Sequence, residues 1–314
     1  MVTHVVDDSH DGWRADQYLG ELYRRYSRNQ LQNLIADGRI SMTGKRLKPS
    51  RVLHPGDKVH LSTLKSPAEE PDVDMNYKIL FEDEHLLVVD KPGNLPVHPA
   101  GKFYFHTLQL ALRQDRKEWC DQGNDFYLVH RLDRETSGII LLAKSSEAAG
   151  ALWQQFSKRT AEKRYAAVVV GHCAEERFTV DADMGSDHTS DIRLKMAAFP
   201  KGTGEMEALT HFKVLRRGRG VDLVECDLKT GRQHQIRVHL AYAGHPIVGD
   251  KLYGGDETIF LRHISGQALT ADDQASLTLN RHALHSKYLR FYHELADRWI
   301  EVESPIPHDL EALL

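Results

Sequence analysis

Residues 130–138 read His-Arg-Leu-Asp-Arg-Glu-Thr-Ser-Gly, so that one carboxylate, Asp133, sits between two guanidinium groups, Arg131 and Arg134. An ionised carboxylate can serve as a nucleophile or steady a developing positive charge. A surface turn would carry Asn, Gly or Pro at its corner. A loop with this much fixed charge on rigid shoulders more often positions chemistry. For Asp133 alone, a solvated ion pair on a β-connection fits about as well, and three further segments favour the functional reading. The run Asp90-Lys91-Pro92-Gly93-Asn94-Leu95-Pro96-Val97-His98-Pro99 carries three prolines. They fix a rigid path suited to a cleft wall, although a stiff structural loop explains them more simply. In 162–171, Glu-Lys-Arg-Tyr-Ala-Ala-Val-Val-Val-Gly, Tyr165 begins a strand with its ring free to face a cleft and basic residues beside it. Such a ring usually packs in a core, but it can also stack on a nucleobase, an interaction worth roughly 1–3 kcal/mol per base. In 230–240, Ile236 and Leu240, followed by Ala243, fall at i, i+4 and i+7 and make the buried face of a helix. Arg237 lies on a different face, beside a helix start that favours anions. A structural salt bridge and a functional one can be the same bond there.

The elements that must carry these residues follow from the apolar pattern. Tyr127-Leu128-Val129 and the run 139–143 read as buried strands on either side of the Asp133 loop. Further strands are expected at 78–81, 86–89, 165–170 and 221–228, with helices at 107–113 and 233–243, the latter capped by Gly244. Residues 76–314 are therefore taken as one α+β domain on a mostly antiparallel sheet. Residues 65–75 hold two prolines and four acids with little apolar content and read as a linker. Before it, Tyr18, Leu19, Leu22 and Tyr23 pattern one helix. A second starts at a Ser27 to Gln30 capping box and ends at Asp37-Gly38. Short strands follow at Ile40 and Met42 and at Val59 and Leu61, with turns at Thr43-Gly44-Lys45 and Pro55-Gly56-Asp57.

Composition limits the partners. The 314 residues are 41% hydrophobic and 27% charged, which is ordinary for a globular protein of two domains. No run of about 18 apolar residues occurs and the amino terminus is polar, so neither a membrane span nor a signal peptide is expected. Cys120, Cys173 and Cys226 are far apart and odd in number, which suits a reducing cytoplasm. The pairs His282 and His285, or His234 and His239, lack a cysteine or carboxylate at matching spacing, so no metal is expected. The net charge of −4 conceals an asymmetry: residues 12–63 hold ten Lys or Arg against four acids, a net of +6, and the remainder is acidic. A basic module on an acidic body suggests that one part of the chain binds a polyanion.

Residues 13–63, through R-A-D-Q-Y-L, Y-S-R-N-Q-L and D-G-R-I-S-M-T-G-K, resemble the alpha-L type RNA-binding domain. The resemblance implies a small α/β module at 1–64 that holds RNA by phosphate contacts, with Arg28, Arg39, Lys45 and Arg46 as candidates. The four segments V-H-R-L-D-R-E-T-S-G, V-V-D-K-P-G-N-L-P-V-H-P, E-K-R-Y-A-A-V-V-V-G and T-G-R-Q-H-Q-I-R-V-H-L-A-Y-A-G-H-P-I-V-G-D-K-L-Y-G, with R-H-A-L-H-S at 281–286, closely resemble the signatures of RluA-type pseudouridine synthases. The resemblance implies the pseudouridine synthase fold, a mixed but mainly antiparallel sheet with a central cleft. It also implies isomerisation of particular uridines in structured RNA. By motif position, Asp133 would be the catalytic aspartate, Tyr165 the residue stacked on the target base and Arg237 the partner of the aspartate. Arg131 would fill the space left by the extruded nucleotide, and Arg232 and His234 would contact RNA. Moving a ribose bond from nitrogen to carbon 5 involves no redox step or net hydrolysis, so no cofactor is expected.

Two departures stand out: Gln233 replaces the Thr of many relatives, and 185–196 carries two acids where relatives are often more basic. The expected partner is ribosomal RNA of the large subunit or a pre-ribosomal particle, met by a monomer in the cytoplasm, with tRNA as the alternative. A non-catalytic RNA-binding assembly factor would keep the basic module without needing Asp133, Tyr165 and Arg237. A base-removing hydrolase would release free uracil.

Overall fold

The computed structural model describes residues 2–314 apart from 24–25, 27, 37, 44–46, 62–69, 72, 100–102 and 104. The chain forms two compact units, Met1–Asp72 with Pro99–Phe105, and Val73–His98 with His106–Leu314. The first contains β1 (Val2–Val5), α1 (Ala15–Leu22), α2 (Arg28–Ala36), β2 (Ile40–Met42) and β3 (Lys58–Leu61). Its described strands pair antiparallel in the order β1-β3-β2. Leu19, Leu31, Leu34 and Ile35 from the two helices meet Ile40, Leu53 and Val59 in one core. β1 is absent from the sequence expectation because its residues look polar; pairing with β3, not apolar alternation, makes it a strand. Gly38 ends α2 with φ +73°, as a left-handed cap should. Leu22, expected on the buried face of α1, is 39% exposed, because α1 turns Tyr18 and Leu19 inward. Asp16 is buried and accepts hydrogen bonds from Arg14, Arg28 and Gln32 at 2.9 to 3.1 Å. These bonds, Arg14 first, hold its carboxyl well below the usual carboxylate range. The expected Ser27 cap, Asp37, and the Gly44-Lys45 turn with Arg46 lie outside the described residues, as does most of 65–75. Glu70 of that stretch is buried, and its carboxylate accepts the Phe105 amide at 3.0 Å.

The second unit is built on β4 (Lys78–Glu82), β5 (Leu86–Lys91), β6 (Tyr127–Leu128), β7 (Ser137–Ala143), β8 (Glu162–Val170) and β9 (Arg177–Asp181). It continues with β10 (Asp183–Ser186), β11 (Met196–Phe199), β12 (Leu209–Arg217), β13 (Val221–Leu228), β14 (Leu284–His293) and β15 (Arg298–Glu303). Its helices are α3 (Leu108–Asp115), α4 (Lys117–Asp121), α5 (Ser146–Lys158), α6 (Gln235–Tyr242), α7 (Glu257–Ser265), α8 (Ala271–Leu277) and α9 (His308–Glu311). Among the described residues one large sheet runs β4-β5-β7-β14-β8-β13-β12-β9, with β15 beside β14 and β6 beside β7, and β10 pairs with β11. Its pairings are antiparallel except β7 with β14, so the domain is the expected α+β class on a mainly antiparallel mixed sheet.

Strand alternation explains how one sheet serves two cores. Leu87, Val89, Ile140 and Leu142 pack on one face, and Leu86, Val88, Ile139, Leu141 and Ala143 pack on the other. Strands covered on both sides read as continuous apolar runs, which is the pattern in β5 and β7. Ser145 caps α5 by accepting the Ala148 amide at 3.2 Å, and Thr107 caps α3. No helix among the described residues is long and apolar enough to cross a membrane.

Three expectations need correction. Tyr165 is the fourth residue of β8 rather than its first, and its ring is 7% exposed, because pairing with β14 and β13 starts earlier than the apolar run. Tyr127-Leu128 is a short, half-exposed strand on the side of β7, not a buried one. α6 starts at Gln235, two residues later than predicted, with His234 in the left-handed region at φ +58°. The Gln235 carboxamide folds back there, its Oε1 accepting from the Arg232 amide at 2.9 Å and the Thr230 hydroxyl at 2.8 Å. Gln233 is therefore outside the helix and exposed.

The short parallel register of β7 with β14 brings Gly138, at φ +106°, against the Ser286 backbone, where a Cβ would collide with the Ser286 carbonyl oxygen. Gly138→Ala is expected to lower stability by about 3 kcal/mol or more. The urea denaturation midpoint checks this, and an unchanged midpoint would contradict the packing described.

Candidate active site

β7 and the turn before it hold the Asp133 loop from below. His130 accepts the Leu141 amide at Nε2 (3.1 Å) and stacks on Phe156, and the Thr136 amide donates to the Asp133 carbonyl at 3.1 Å. Glu135 is buried beneath the loop. It accepts from Lys251 Nζ at 3.0 and 3.1 Å, from the His282 amide at 3.0 Å and from Arg134 at 2.9 Å. Burial pushes its carboxyl up, but His282, Lys251 and Arg134 outweigh this and bring it down to about 2. Arg134, expected beside Asp133, is thus turned to Glu135 and His263. Lys91, fully buried, donates to the carbonyls of Pro92, Leu95 and Arg134 at 2.8 to 3.0 Å. The proline-rich segment is therefore more than a stiff wall: its lysine clamps the backbone one residue after Asp133.

Above the loop, the Arg237 side chain projects from the first turn of α6. Its Nη1 donates to Asp133 Oδ2 at 2.9 Å. Its Nε and Nη2 form a two-pronged bond with Asp250 at 2.7 and 2.9 Å. Asp250 in turn accepts the Leu252 and Tyr253 amides at 3.0 Å each. The guanidinium lies 4.9 Å from the centre of the Tyr253 ring. Burial raises the Asp133 pKa, but Arg237 and then His234 and His282 overcome it, so the carboxyl rests below its ordinary value. His234 Nδ1 meets the Tyr253 hydroxyl at 2.9 Å, and its Nε2 is 3.8 Å from Asp133 Oδ2. Burial, then Arg237, lowers its pKa to about 4, which leaves the imidazole neutral near pH 7. Burial raises the Tyr165 phenol to about 12, so its hydroxyl stays protonated.

These groups surround a cavity of about 610 Å³ lined by Arg131, Asp133, Phe156, Lys163, Tyr165, Arg232 and His234, among others. Its size suits a nucleotide-sized ligand. A smaller recess of about 90 Å³ adds Leu132, Thr136, Ile236, Arg237 and Leu284. The fold thus brings Asp133, Tyr165, Arg237, Arg131, Arg232 and His234 to one place. Arg131 is exposed at the rim, and Arg232 donates from Nε to the Glu207 carbonyl at 3.0 Å. Arg28 and Arg39 belong to the other unit, and Lys45 and Arg46 lie outside the described residues. The histidines considered as metal pairs have other partners: His239 with Thr210 and Ala182, His282 with Thr136, and His285 with Ser137. Asp250, Glu135 and Lys91 carry no assigned role in the sequence reading. Thirteen residues separate Asp250 from Arg237 and more than a hundred separate Asp133 from Arg237, so only the fold reveals the three-way contact.

Breaking one partner of a buried ion pair costs about 3–5 kcal/mol. Asp250→Asn is therefore expected to lower stability by that amount, whereas Asp133→Asn, at a partly exposed carboxylate, costs less. Urea denaturation of the two isosteric variants checks the order, and the reverse order would show that Asp250 does not anchor Arg237.

Comparison with known proteins converges on one chemistry. The family described as RNA pseudouridylate synthase matches residues 85–242, which include the Asp133 loop, β8 and α6. Ribosomal large subunit pseudouridine synthase D of Xanthomonas campestris pv. campestris is 37% identical over 99% of this chain and 90% of that protein. The protein of that name from Pseudomonas aeruginosa is 35% identical over 96% of this chain and 91% of its own. The structure of human RNA Pseudouridylate Synthase Domain Containing 1 aligns with a TM-score of 0.61 at 28% identity, over 78% of this chain and 90% of that one. With its family match, its relatives and its fold in agreement, the chain belongs to the RNA pseudouridylate synthase family and is an isomerase that converts uridine to pseudouridine in RNA.

Proposed function

We propose that Asp133 is the carboxylate that carries the isomerisation, with Arg237 as its partner and Tyr165 as the ring that holds the base. One observation supports this above the others. Asp133 is the single carboxylate lining the cavity, and Arg237 engages its Oδ2, leaving Oδ1 without a protein partner among the described residues. An ionised oxygen facing the cavity can attack carbon 6 of the ring or the anomeric carbon, or stabilise positive charge at the latter. The N-glycosidic bond breaks, the base turns, carbon 5 bonds to the sugar and the carbon 5 proton leaves. The pocket must hold the detached base throughout. Tyr165, protonated and largely buried, offers a stacking face and a donor rather than a ready-made base. Reaching a stacked uridine requires flipping it, at a cost of a few kcal/mol. Arg131 at the rim suits the gap that the flipped nucleotide leaves, and Arg232 and His234 suit contacts to the RNA around it.

The relatives' names carry the target: we assign large-subunit ribosomal RNA, free or in a pre-ribosomal particle, with tRNA as the alternative. The basic residues of 1–64 fit phosphate contacts of an alpha-L type domain. Arg39, Lys45 and Arg46 are the candidates, while Arg28 is partly committed to Asp16. We further propose a monomer, and action in the cytoplasm accords with three free cysteines, two of them buried.

Asp133→Asn is expected to abolish pseudouridine formation while RNA binding persists. Carbodiimide mapping of cellular RNA, with the wild type, the variant and no protein, reads both the reaction and its site. Pseudouridine formed by the variant would remove Asp133 from the role. Replacing Arg39, Lys45 and Arg46 together by Gln is expected to weaken RNA binding and to flatten its dependence on salt without abolishing turnover. Binding titrations from 50 to 200 mM salt measure this, and an unchanged slope would count against the basic module.

A further inference from the structure

Lys163 and Arg159 line the large cavity but not the recess around Asp133 and Arg237. Four cations face this cavity, Arg131, Arg159, Lys163 and Arg232. Among the described residues none has a carboxylate within ion-pair distance, while the one lining carboxylate, Asp133, is already held by Arg237. The result is a concave surface with uncompensated positive charge. Burial, and then repulsion from Arg159, hold the Lys163 ammonium below the usual lysine range.

Simpler explanations cover only parts of this cluster. A cation after the last turn of a helix is favourable by itself, which would account for Arg159 after α5. It leaves unexplained why an arginine occupies a left-handed position, φ +61°, at a cost of about 1 kcal/mol or more, where glycine is free of strain. The Lys163 ammonium lies 5.2 Å from the centre of the Phe156 ring, a contact that rewards one cation but gives no reason to bring Arg159 near it. Lys163 is also two residues before Tyr165 on β8. The two side chains therefore stand on the same face of the strand, roughly 7 Å apart along it.

We propose that Lys163 and Arg159 form a subsite for the backbone phosphodiester of the nucleotide next to the flipped uridine. The proposal rests on the reading of Asp133 and Tyr165 as the uridine pocket and extends it outward along β8 by about one nucleotide. A bound phosphate removes the repulsion between the two cations. Because it reads backbone rather than base, the subsite sets the path of the strand into the cavity without selecting sequence. It acts in binding and orientation, before the glycosidic bond breaks.

The test uses full-length protein with Lys163→Met and Arg159→Gln, singly and together, Lys163→Arg as the charge-keeping control, and Asp133→Asn as a separate reference. Thermal unfolding establishes that each variant is folded; Arg159 is exposed, so its single variant keeps the test open even if the pair is unstable. The first readout is binding of a twelve-residue oligouridylate as a function of salt. Each lost phosphate contact should reduce the slope of log K against log salt by about 0.7. The second is turnover on total RNA from cells lacking the protein. The double variant is expected to raise KM about tenfold with kcat within about threefold, and Lys163→Arg is expected to restore most of the loss. Unchanged slope and KM in folded variants would overturn the subsite, as would a loss confined to kcat. Asp133→Asn is expected to keep the wild-type slope and lose turnover. If it keeps turnover, the reading of Asp133 fails by itself, and the slope still decides the subsite.

Discussion

A single buried guanidinium organises the site. Arg237 gives two of its donors to Asp250 and one to Asp133. The planar fork of arginine can satisfy two carboxylates in fixed directions at once, which the ammonium of lysine cannot do with the same geometry. Asp250 is itself fixed by two backbone amides, so the chain of constraint runs from the backbone through Asp250 and Arg237 to Asp133. Burying three charges is costly, and the arrangement persists because every donor edge toward the carboxylates is used. Burial alone would raise the Asp133 carboxyl, and the charge of Arg237 together with His234, His282 and the Arg237 hydrogen bond outweighs it and holds the group below its ordinary value.

A second buried network keeps the loop from adapting to its surroundings. Glu135 ties together Lys251, His282 and Arg134, and Lys91 holds the Arg134 carbonyl. Arg281 adds bonds to the Glu135 carbonyl and to Asp309. The carboxylate of Asp133 is thus one of two acids in a short loop with opposite tasks. Glu135 is turned inward and fully paired, and Asp133 is turned toward the cavity with an oxygen to spare. Rigid support of this kind holds a side chain within the narrow tolerance that an active site demands.

The electrostatics of the chain become intelligible at the scale of the cavity rather than of the whole. A net charge of −4 would disfavour a polyanion, yet the cavity presents four cations around one neutralised carboxylate. Field lines concentrate in a cleft with low-dielectric walls, so local sign governs the approach of RNA more than total charge does.

Sequence and structure divide the determination along a physical line. Local patterns were readable where short-range alternation or steric need decides them: the apolar runs of β5, β7 and β13, the left-handed Gly38 and Gly244, and the loop that carries Asp133. Motif resemblance then supplied Tyr165 and Arg237. Where a long-range bond decides the outcome, local pattern was silent or misleading. β1 is a strand because β3 pairs with it, α6 starts late because the Gln235 side chain turns back to Thr230 and Arg232, and Tyr165 is buried because β13 and β14 flank β8. The sequence by itself determined which residues could do the chemistry and which strands would deliver them. Only the tertiary structure decided that Asp250 orients Arg237 toward Asp133 and that Lys251 and His282 pair with Glu135 beneath the loop, because contacts between residues distant in the chain carry no signature in local spacing.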